Sequence, residues 1–520
     1  MSSRTVRSRL AGSLCVLGLV GVGVSAGGCG SPPLHGPDGG GGGGGGGIDG
    51  ASDAAFDVAG GLGGSASGGN DGAVLPIDRW HSLLPPAQRK LDILVMVDNS
   101  QSMLPLQAKL LAGFPAFVTL LKALPLGLPD LHLAVISSDT GPGKYDLPDR
   151  HCGFRGDGGR FQSQPRGSCT TAPLATGQTF LSASANQTVK NYTGDLTDAF
   201  ACIAALGDQG CGFEGQLKSV RWALDPRIPP DGNQGFLRPD STLVVILVTN
   251  EDDCSLPDDS DLVDPTQVTM SSALGPLWSY RCNEFGHLCD INGMLQPPPR
   301  GPLPVVQGCV SNDSPSGKLT KLAEEVRFLK TLRSDPNQLI VAAIDGPAEP
   351  YSVEMIQQGQ DTEAHPNIRH SCTLATGEFA DPAVRIQQWV GAFGVNGIAT
   401  SICADSFVAP LQQIADKIAT VFGPVCLSGA VPEGSGSTPP VCRVVDRVVQ
   451  ANGQVQTTLL PQCAAPGAPP PCWELTADAA GCAAGTRLSV NRGAAPPPAG
   501  LSTEYDCAPC APGSTDLGCR

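Results

Sequence analysis

The sequence predicts an α/β fold: a doubly wound, mainly parallel sheet with helices on both faces. Short apolar, β-branched segments recur along the chain, and segments with helical spacing of apolar residues lie between them. This alternation is typical of a sheet whose parallel strands are joined by helices. Two long Cys-rich insertions and a small disulfide-rich C-terminal module are expected to accompany the sheet.

Four apolar runs are predicted to be buried strands, since strands covered on both faces have no polar alternation. They span 90–98, 131–138, 243–248 and 339–344. Apolar residues at helical spacing predict helices over 106–124, 196–206, 217–224, 319–329 and 408–422. Pro115 is expected to kink the first of these helices.

Two insertions, 141–192 and 252–316, divide the predicted domain of residues 75–423, and both are rich in Pro, Gly and Cys. Loops of this length are commonly functional, disordered or cross-linked, and their cysteines favour cross-links. Residues 424–520 combine eight cysteines with many prolines and few aliphatic residues, which predicts a module held by disulfides rather than by a large core. Eight cysteines allow 105 pairings, so no connectivity is predicted.

The N-terminus predicts export. Residues 1–29 combine a basic start, an apolar stretch and small residues before Cys29, which resembles the signal of a bacterial lipoprotein acylated at that cysteine. The alternative is an ordinary signal peptide cleaved near Ala26. Removing Cys15 and Cys29 from the 20 cysteines leaves an even number, which agrees with acylation and with an oxidising compartment. Residues 30–74, with their glycine run, are predicted to be a disordered tether to the outer membrane.

Composition and motifs exclude several functions. The chain has 33 Lys and Arg against 49 Asp and Glu, with no basic stripe for a nucleic acid. No nucleophile elbow, P-loop or dinucleotide fingerprint is present, so an enzyme is not expected. His365 and His370 are interpreted as surface histidines, and the Cys507 and Cys510 pair is expected to serve structural disulfides rather than redox or zinc chemistry.

One motif predicts a binding site. Asp98, Ser100 and Ser102 follow the first predicted strand in the pattern Asp-x-Ser-x-Ser. This motif, at the end of a buried strand that opens a helix, resembles the metal-ion-dependent adhesion site of von Willebrand factor type A domains, which have a Rossmann-like fold. The resemblance implies that these oxygen donors hold Mg²⁺, with Mn²⁺ or Ca²⁺ as alternatives. The simpler interpretation is that Ser100 or Ser102 caps the helix.

The chain departs from that family at the remaining ligands. The loop before the helix near 214 has no Thr, and Glu214 is its strongest oxygen donor. Glu214 would either bind the metal or be an acidic residue that the helix N-terminus favours. After the third strand, the family's Asp aligns with Asn250, while Glu251 or Asp252 could serve after a shift. Asn250 in place of that Asp removes one negative charge, which implies a weak, incomplete metal site.

The resemblance implies a surface-tethered binding or adhesion module. Its expected partner is an extracellular or envelope protein or a surface polymer, recognised at the metal through an acidic side chain. Attachment to the membrane would be by the lipid anchor only. The alternative is a structural envelope or scaffold lipoprotein whose site is degenerate and metal-free.

Overall fold

The computed structural model describes residues 78–82, 89–124, 127–227, 230–357, 363–422, 425–427, 442–449, 454–463, 469–477, 486–493 and 501–507. The predicted signal at 1–29 with the acylated Cys29 and the predicted tether at 30–74 lie outside these residues. The predicted C-terminal module is described only in part.

The strands of the described residues are these: β1 (Asp78–Ser82), β2 (Lys90–Val97), β3 (Asp130–Ser137), β4 (Leu181–Ala183), β5 (Thr242–Val248), β6 (His287–Ile291), β7 (Met294–Gln296), β8 (Leu303–Val306), β9 (Val310–Ser311), β10 (Leu339–Asp345), β11 (Tyr351–Ile356), β12 (His365–Ile368), β13 (Cys372–Thr373), β14 (Phe379–Ala380), β15 (Gly397–Ser401), β16 (Val425–Cys426), β17 (Cys442–Val449), β18 (Val455–Leu460), β19 (Cys472–Ala477), β20 (Thr486–Asn491) and β21 (Leu501–Cys507). The α-helices of the same residues are α1 (Leu104–Lys122), α2 (Leu196–Ala204), α3 (Gln216–Leu224), α4 (Tyr280–Gly286), α5 (Leu322–Thr331), α6 (Val384–Gly391) and α7 (Val408–Phe422).

The largest sheet has six strands in the order β15-β10-β5-β2-β3-β4. The four predicted apolar runs form its four inner strands, β2, β3, β5 and β10, which pair in parallel register with their neighbours. The short edge strand β4 pairs with β3 in the antiparallel sense. Aliphatic side chains fill both faces of the inner strands, because helices cover the sheet on each side.

Two apolar cores flank this sheet. One contains side chains of α1, α2 and α7, and the other contains side chains of α3, α5 and α6. In α1, which continues through Pro115, Leu110, Phe117 and Leu121 are each 1% exposed. This helix is long and apolar enough to cross a membrane, but the burial of these residues makes it a core helix here.

The predicted fold class is wrong. Among the described residues the strands form six separate sheets, of which five contain only antiparallel pairs and the sixth is mixed. The chain is therefore not one doubly wound, mainly parallel sheet with irregular insertions. The reason is that the second insertion, residues 351–380 and the C-terminal residues form strands that lack the long continuous apolar runs by which buried strands are recognised.

Seven disulfides join described cysteines, which confirms the prediction of a disulfide-bonded chain. The pairs are Cys152–Cys211, Cys169–Cys202, Cys254–Cys282, Cys289–Cys309, Cys372–Cys403, Cys442–Cys507 and Cys463–Cys472. Cys507 pairs with Cys442, whereas Cys510 lies outside the described residues. Disulfides in this number form and persist in oxidising compartments, as expected for an exported protein.

Candidate functional site

Polar residues collect at the edge of the six-stranded sheet where its parallel strands end. Asp98 follows β2, Ser138 follows β3, and Thr249 follows β5. The carboxyl ends of neighbouring parallel strands meet at one edge, where open α/β sheets commonly bind ligands. All three residues are fully buried, so their polar atoms must find partners within the protein.

Asp98 is the centre of a buried hydrogen-bond network. Its Oδ1 accepts hydrogen bonds from the backbone N–H of Ser100 at 2.8 Å and from Ser138 Oγ at 3.1 Å. Its Oδ2 accepts one from Thr249 Oγ1 at 2.6 Å. Burial raises the pKa of Asp98, and these hydrogen bonds act against the rise by favouring the carboxylate.

The two motif serines extend this network towards the third loop. Ser100 Oγ lies 3.4 Å from Ser102 Oγ, and Ser102 Oγ donates to Asn250 Oδ1 at 3.0 Å. The Asn250 side-chain amide donates to the carbonyl of Phe379. Ser100 occupies the N-cap position of the helical turn Gln101–Met103, but its side chain makes no capping hydrogen bond, so the interpretation of the motif serines as side-chain caps is not supported. The structure thus brings Asp98, Ser100, Ser102 and Asn250 together.

Two glutamates lie beside Asp98. Glu214 is 2% exposed, and its Oε1 has no hydrogen-bond partner in the part of the chain that the structure describes. Burial raises the pKa of Glu214 well above its usual value, and the charges of Glu251 and Asp98 raise it further. Burial likewise raises the pKa of Glu251 to about 8, together with the charges of Asp381 and Asp98. These carboxyl groups are close enough to disfavour one another's ionisation.

Asp252 makes its hydrogen bonds outside the Asp98 network. Its carboxylate accepts hydrogen bonds from the backbone N–H groups of Arg385 and Ile386, at the N-terminus of α6, and lies 2.8 Å from His287 Nε2. Asp252 therefore stabilises a helix end. Glu251, which precedes it, contributes to the cluster near Asp98 instead.

A cavity of about 740 Å³ opens beside this cluster. Ser102, Glu214 and Glu251 line it from the sheet edge, Arg150 and His151 from the first insertion, and Trp278 and Ser279 from the second; its other lining residues are Ser100, Gln101, Cys152, Asp208, Gln209, Gly210, Gly212, Phe213 and Phe379. Its size is in the range of ligand sites in proteins. The Cys152–Cys211 disulfide links the first insertion to the loop before Glu214, so two walls of the cavity are covalently joined.

The prediction of a Mg²⁺ site, or a Mn²⁺ or Ca²⁺ site, is wrong. Within the described residues no group of three or more His, Cys, Asp or Glu side chains is arranged to hold a metal ion. Oxygen atoms that were expected to bind the metal instead form hydrogen bonds within the protein. Three protein groups donate to Asp98, Ser102 donates to Asn250, and Asp252 accepts from the N-terminus of α6.

Several residues of this region were not anticipated. Ser138 and Thr249 bind Asp98 directly, and their positions just after β3 and β5, like that of Asp98 after β2, are the signal that could have identified them. Trp278 carried no such signal, because it lies in an insertion. His365 is 4% exposed and stacks on Trp278 with ring centroids 4.3 Å apart, so its interpretation as a surface histidine is wrong.

Comparison with known proteins does not identify a family. No protein-family model matches the chain, and no curated protein matches it. Among solved structures, the adhesive tip pilin GBS104 of Group B Streptococcus agalactiae aligns at 11% identity and a TM-score of 0.25, over 81% of this chain and 78% of the pilin. The pilus adhesin RrgA of Streptococcus pneumoniae aligns at 10% identity and a TM-score of 0.27, over 82% of this chain and 57% of the adhesin.

These similarities are too low to support an argument about fold or activity, and the chain spans little more than half of RrgA. One prediction is corrected by the family comparison alone. Assignment to the von Willebrand factor type A family is wrong, since no protein-family model matches the chain. The Asp-x-Ser-x-Ser motif is short enough to occur after a strand without its family.

Proposed function

We propose that this protein is a non-enzymatic binding protein of the cell envelope, exported and held at the outer membrane through acylated Cys29. Its partner is an extracellular or envelope protein or a surface polymer, which it captures in the cavity at the carboxyl edge of the six-stranded sheet. The cavity is the observation that carries this proposal.

The construction of the cavity supports recognition. Its walls come from the sheet edge and from both insertions, and Trp278 supplies a large aromatic surface among polar groups. Pre-formed sites of this kind combine apolar surface with a few polar groups that fix orientation. The disulfides Cys152–Cys211 and Cys254–Cys282 restrain the segments that carry these walls, so that little ordering would remain for binding.

Site-directed photo-cross-linking in intact cells tests the proposal. The photoreactive amino acid p-benzoylphenylalanine replaces Gln101, which is exposed at the cavity, or Val395, which is 84% exposed in another short helical turn outside it. Irradiation is expected to attach a partner protein or polymer at Gln101 and not at Val395, as detected by a shift in gel mobility and mass spectrometry. Equal cross-linking at both positions would favour the structural envelope role instead, and no product at Gln101 would refute capture in the cavity.

A further inference from the structure

The cavity wall contains two buried carboxyl groups close to Asp98. Glu214 and Glu251 both line the cavity, and the charge of Asp98 acts on each of them. Arg150, a cation of the same wall, lies over the ring of Trp278 with its guanidinium carbon 5.4 Å from the ring centroid. Among the described residues, no ion pair joins Glu214 or Glu251 to a cationic side chain of this wall.

Glu214 differs from its neighbour Asp98 in how its oxygens are used. Both oxygens of Asp98 accept hydrogen bonds from protein groups. The carboxyl group of Glu214 interacts with that of Glu251, but Glu214 Oε1 has no hydrogen-bond partner among the described residues, although the residue is 2% exposed. A buried oxygen without a donor costs free energy, which a ligand with N–H groups could recover. This acceptor is the observation, independent of the number of acidic residues, that points to a ligand.

We propose, on the basis of the function proposed above, that the cavity receives an arginine or lysine side chain of the protein partner, with its cationic group at Glu214 and Glu251. A guanidinium or ammonium group carries several donors, and guanidinium matches a carboxylate with two parallel hydrogen bonds. Its aliphatic stem packs against the aromatic residues of the wall, such as Phe213 and Phe379. Burial disfavours the ionised forms of Glu214 and Glu251 in the protein alone. A cation beside them favours their ionisation, whereas a carboxylate from the partner would disfavour it further.

The volume is consistent with more than one residue of the partner. A cavity of about 740 Å³ holds a basic side chain together with its neighbours along the partner's chain. A single arginine or lysine would therefore anchor a short segment rather than fill the cavity alone.

The test uses the full chain and fluorescein-labelled peptides of sequence Gly-Gly-Xaa-Gly-Gly, where Xaa is arginine, lysine or citrulline. Citrulline has nearly the shape of arginine without its charge. Fluorescence anisotropy is expected to show the arginine or lysine peptide binding at least about tenfold more tightly than the citrulline peptide, because hydrogen bonds between charged groups are the strong ones. Glu214→Gln and Glu251→Gln are each expected to reduce binding of the cationic peptide at least about tenfold.

Two controls separate binding from folding. Glu354→Gln removes a carboxylate that pairs with Arg369 outside the cavity, so peptide binding should not change. The Tm of Glu214→Gln should equal or exceed that of the wild type, since this change removes a carboxyl group whose ionisation burial disfavours. Equal binding of the arginine, lysine and citrulline peptides, or unchanged binding in both cavity variants, would overturn the inference.

The cross-linking experiment keeps this inference distinct from the proposed function. If p-benzoylphenylalanine at Gln101 captures a partner but the arginine, lysine and citrulline peptides bind with equal affinity, the cavity binds a partner without using a basic side chain. If neither experiment gives a signal, the proposed function itself fails.

Discussion

Glu325 provides a quantitative test of how burial controls stability in this protein. It lies on α5, where it is 4% exposed and faces Arg221 of α3, with Oε1 3.4 Å from the guanidinium Nη1. Its second oxygen, Oε2, has no hydrogen-bond partner. Burial raises the pKa of Glu325 from 4.5 to about 7, against the opposing charge of Arg221.

The raised pKa of Glu325 fixes the direction in which the free energy of unfolding changes with pH. The folded protein keeps a proton on Glu325 up to about pH 7, whereas the unfolded chain releases it near pH 4.5. The stabilising contribution of Glu325 to the free energy of unfolding is therefore fully present below pH 4.5 and is lost as the pH rises through 7. A rise in pKa from 4.5 to about 7, at about 1.4 kcal/mol per pKa unit, corresponds to a loss of about 3 kcal/mol.

Glu325→Gln removes this titration while keeping the shape of the side chain. We expect the free energy of unfolding of the variant, relative to the wild type, to increase by about 3 kcal/mol between pH 4.5 and pH 8. Urea titrations at several pH values, with disulfides intact, measure this difference, and groups that titrate equally in both proteins cancel. Glu324→Gln, at the exposed neighbouring position on α5, is the control and should follow the wild type. A difference between Glu325→Gln and the wild type that is independent of pH would show that Arg221 keeps the carboxylate ionised, and would refute the reasoning.

Two further predictions concern the cores. Phe200→Ala is expected to lower the free energy of unfolding by about 3–5 kcal/mol, because Phe200 is fully buried and its removal leaves a cavity; a loss below about 1 kcal/mol in urea unfolding would contradict the packing. Arg385→Met is expected to cost about 3–5 kcal/mol, since Asp253, fully buried at 3.1 Å from the guanidinium, would be left unpaired. The double variant with Asp253→Asn should recover part of that loss in thermal unfolding, and a double variant as unstable as the single would refute the pairing.

The inner strands of the largest sheet could be predicted because their signal is local. Six apolar residues in β2 and an unbroken aliphatic run in β5 identify strands buried on both faces without knowledge of their partners. The helix α1 is likewise visible from the spacing of its apolar residues. Strand β18 has no such run, since most of its described side chains are exposed. Strand β1 pairs with β21, a segment distant in the sequence, so neighbouring residues do not reveal its partner.

The candidate site could be predicted from residues that follow strand ends and from Glu214, which precedes α3. Asp98, Ser100 and Asn250 were found in this way, and the structure places them in one network. The choice between Glu251 and Asp252 could not be made from sequence, because consecutive residues of a loop point in different directions. Here Asp252 turns to the N-terminus of α6, more than 130 positions further along the chain.

By itself, the sequence determined which segments are apolar enough to be buried, that the chain carries many cysteines for disulfides, and that polar residues follow the inner strands. These properties depend on residue type and on neighbours a few positions away. Only the tertiary structure decided that the described strands divide among six sheets, that both insertions line one cavity, and that Glu214 Oε1 has no hydrogen-bond partner among the described residues while Asp98 has three donors. These features depend on contacts between distant segments, and the free energy of such contacts is set by packing and by hydrogen bonds that no local pattern records.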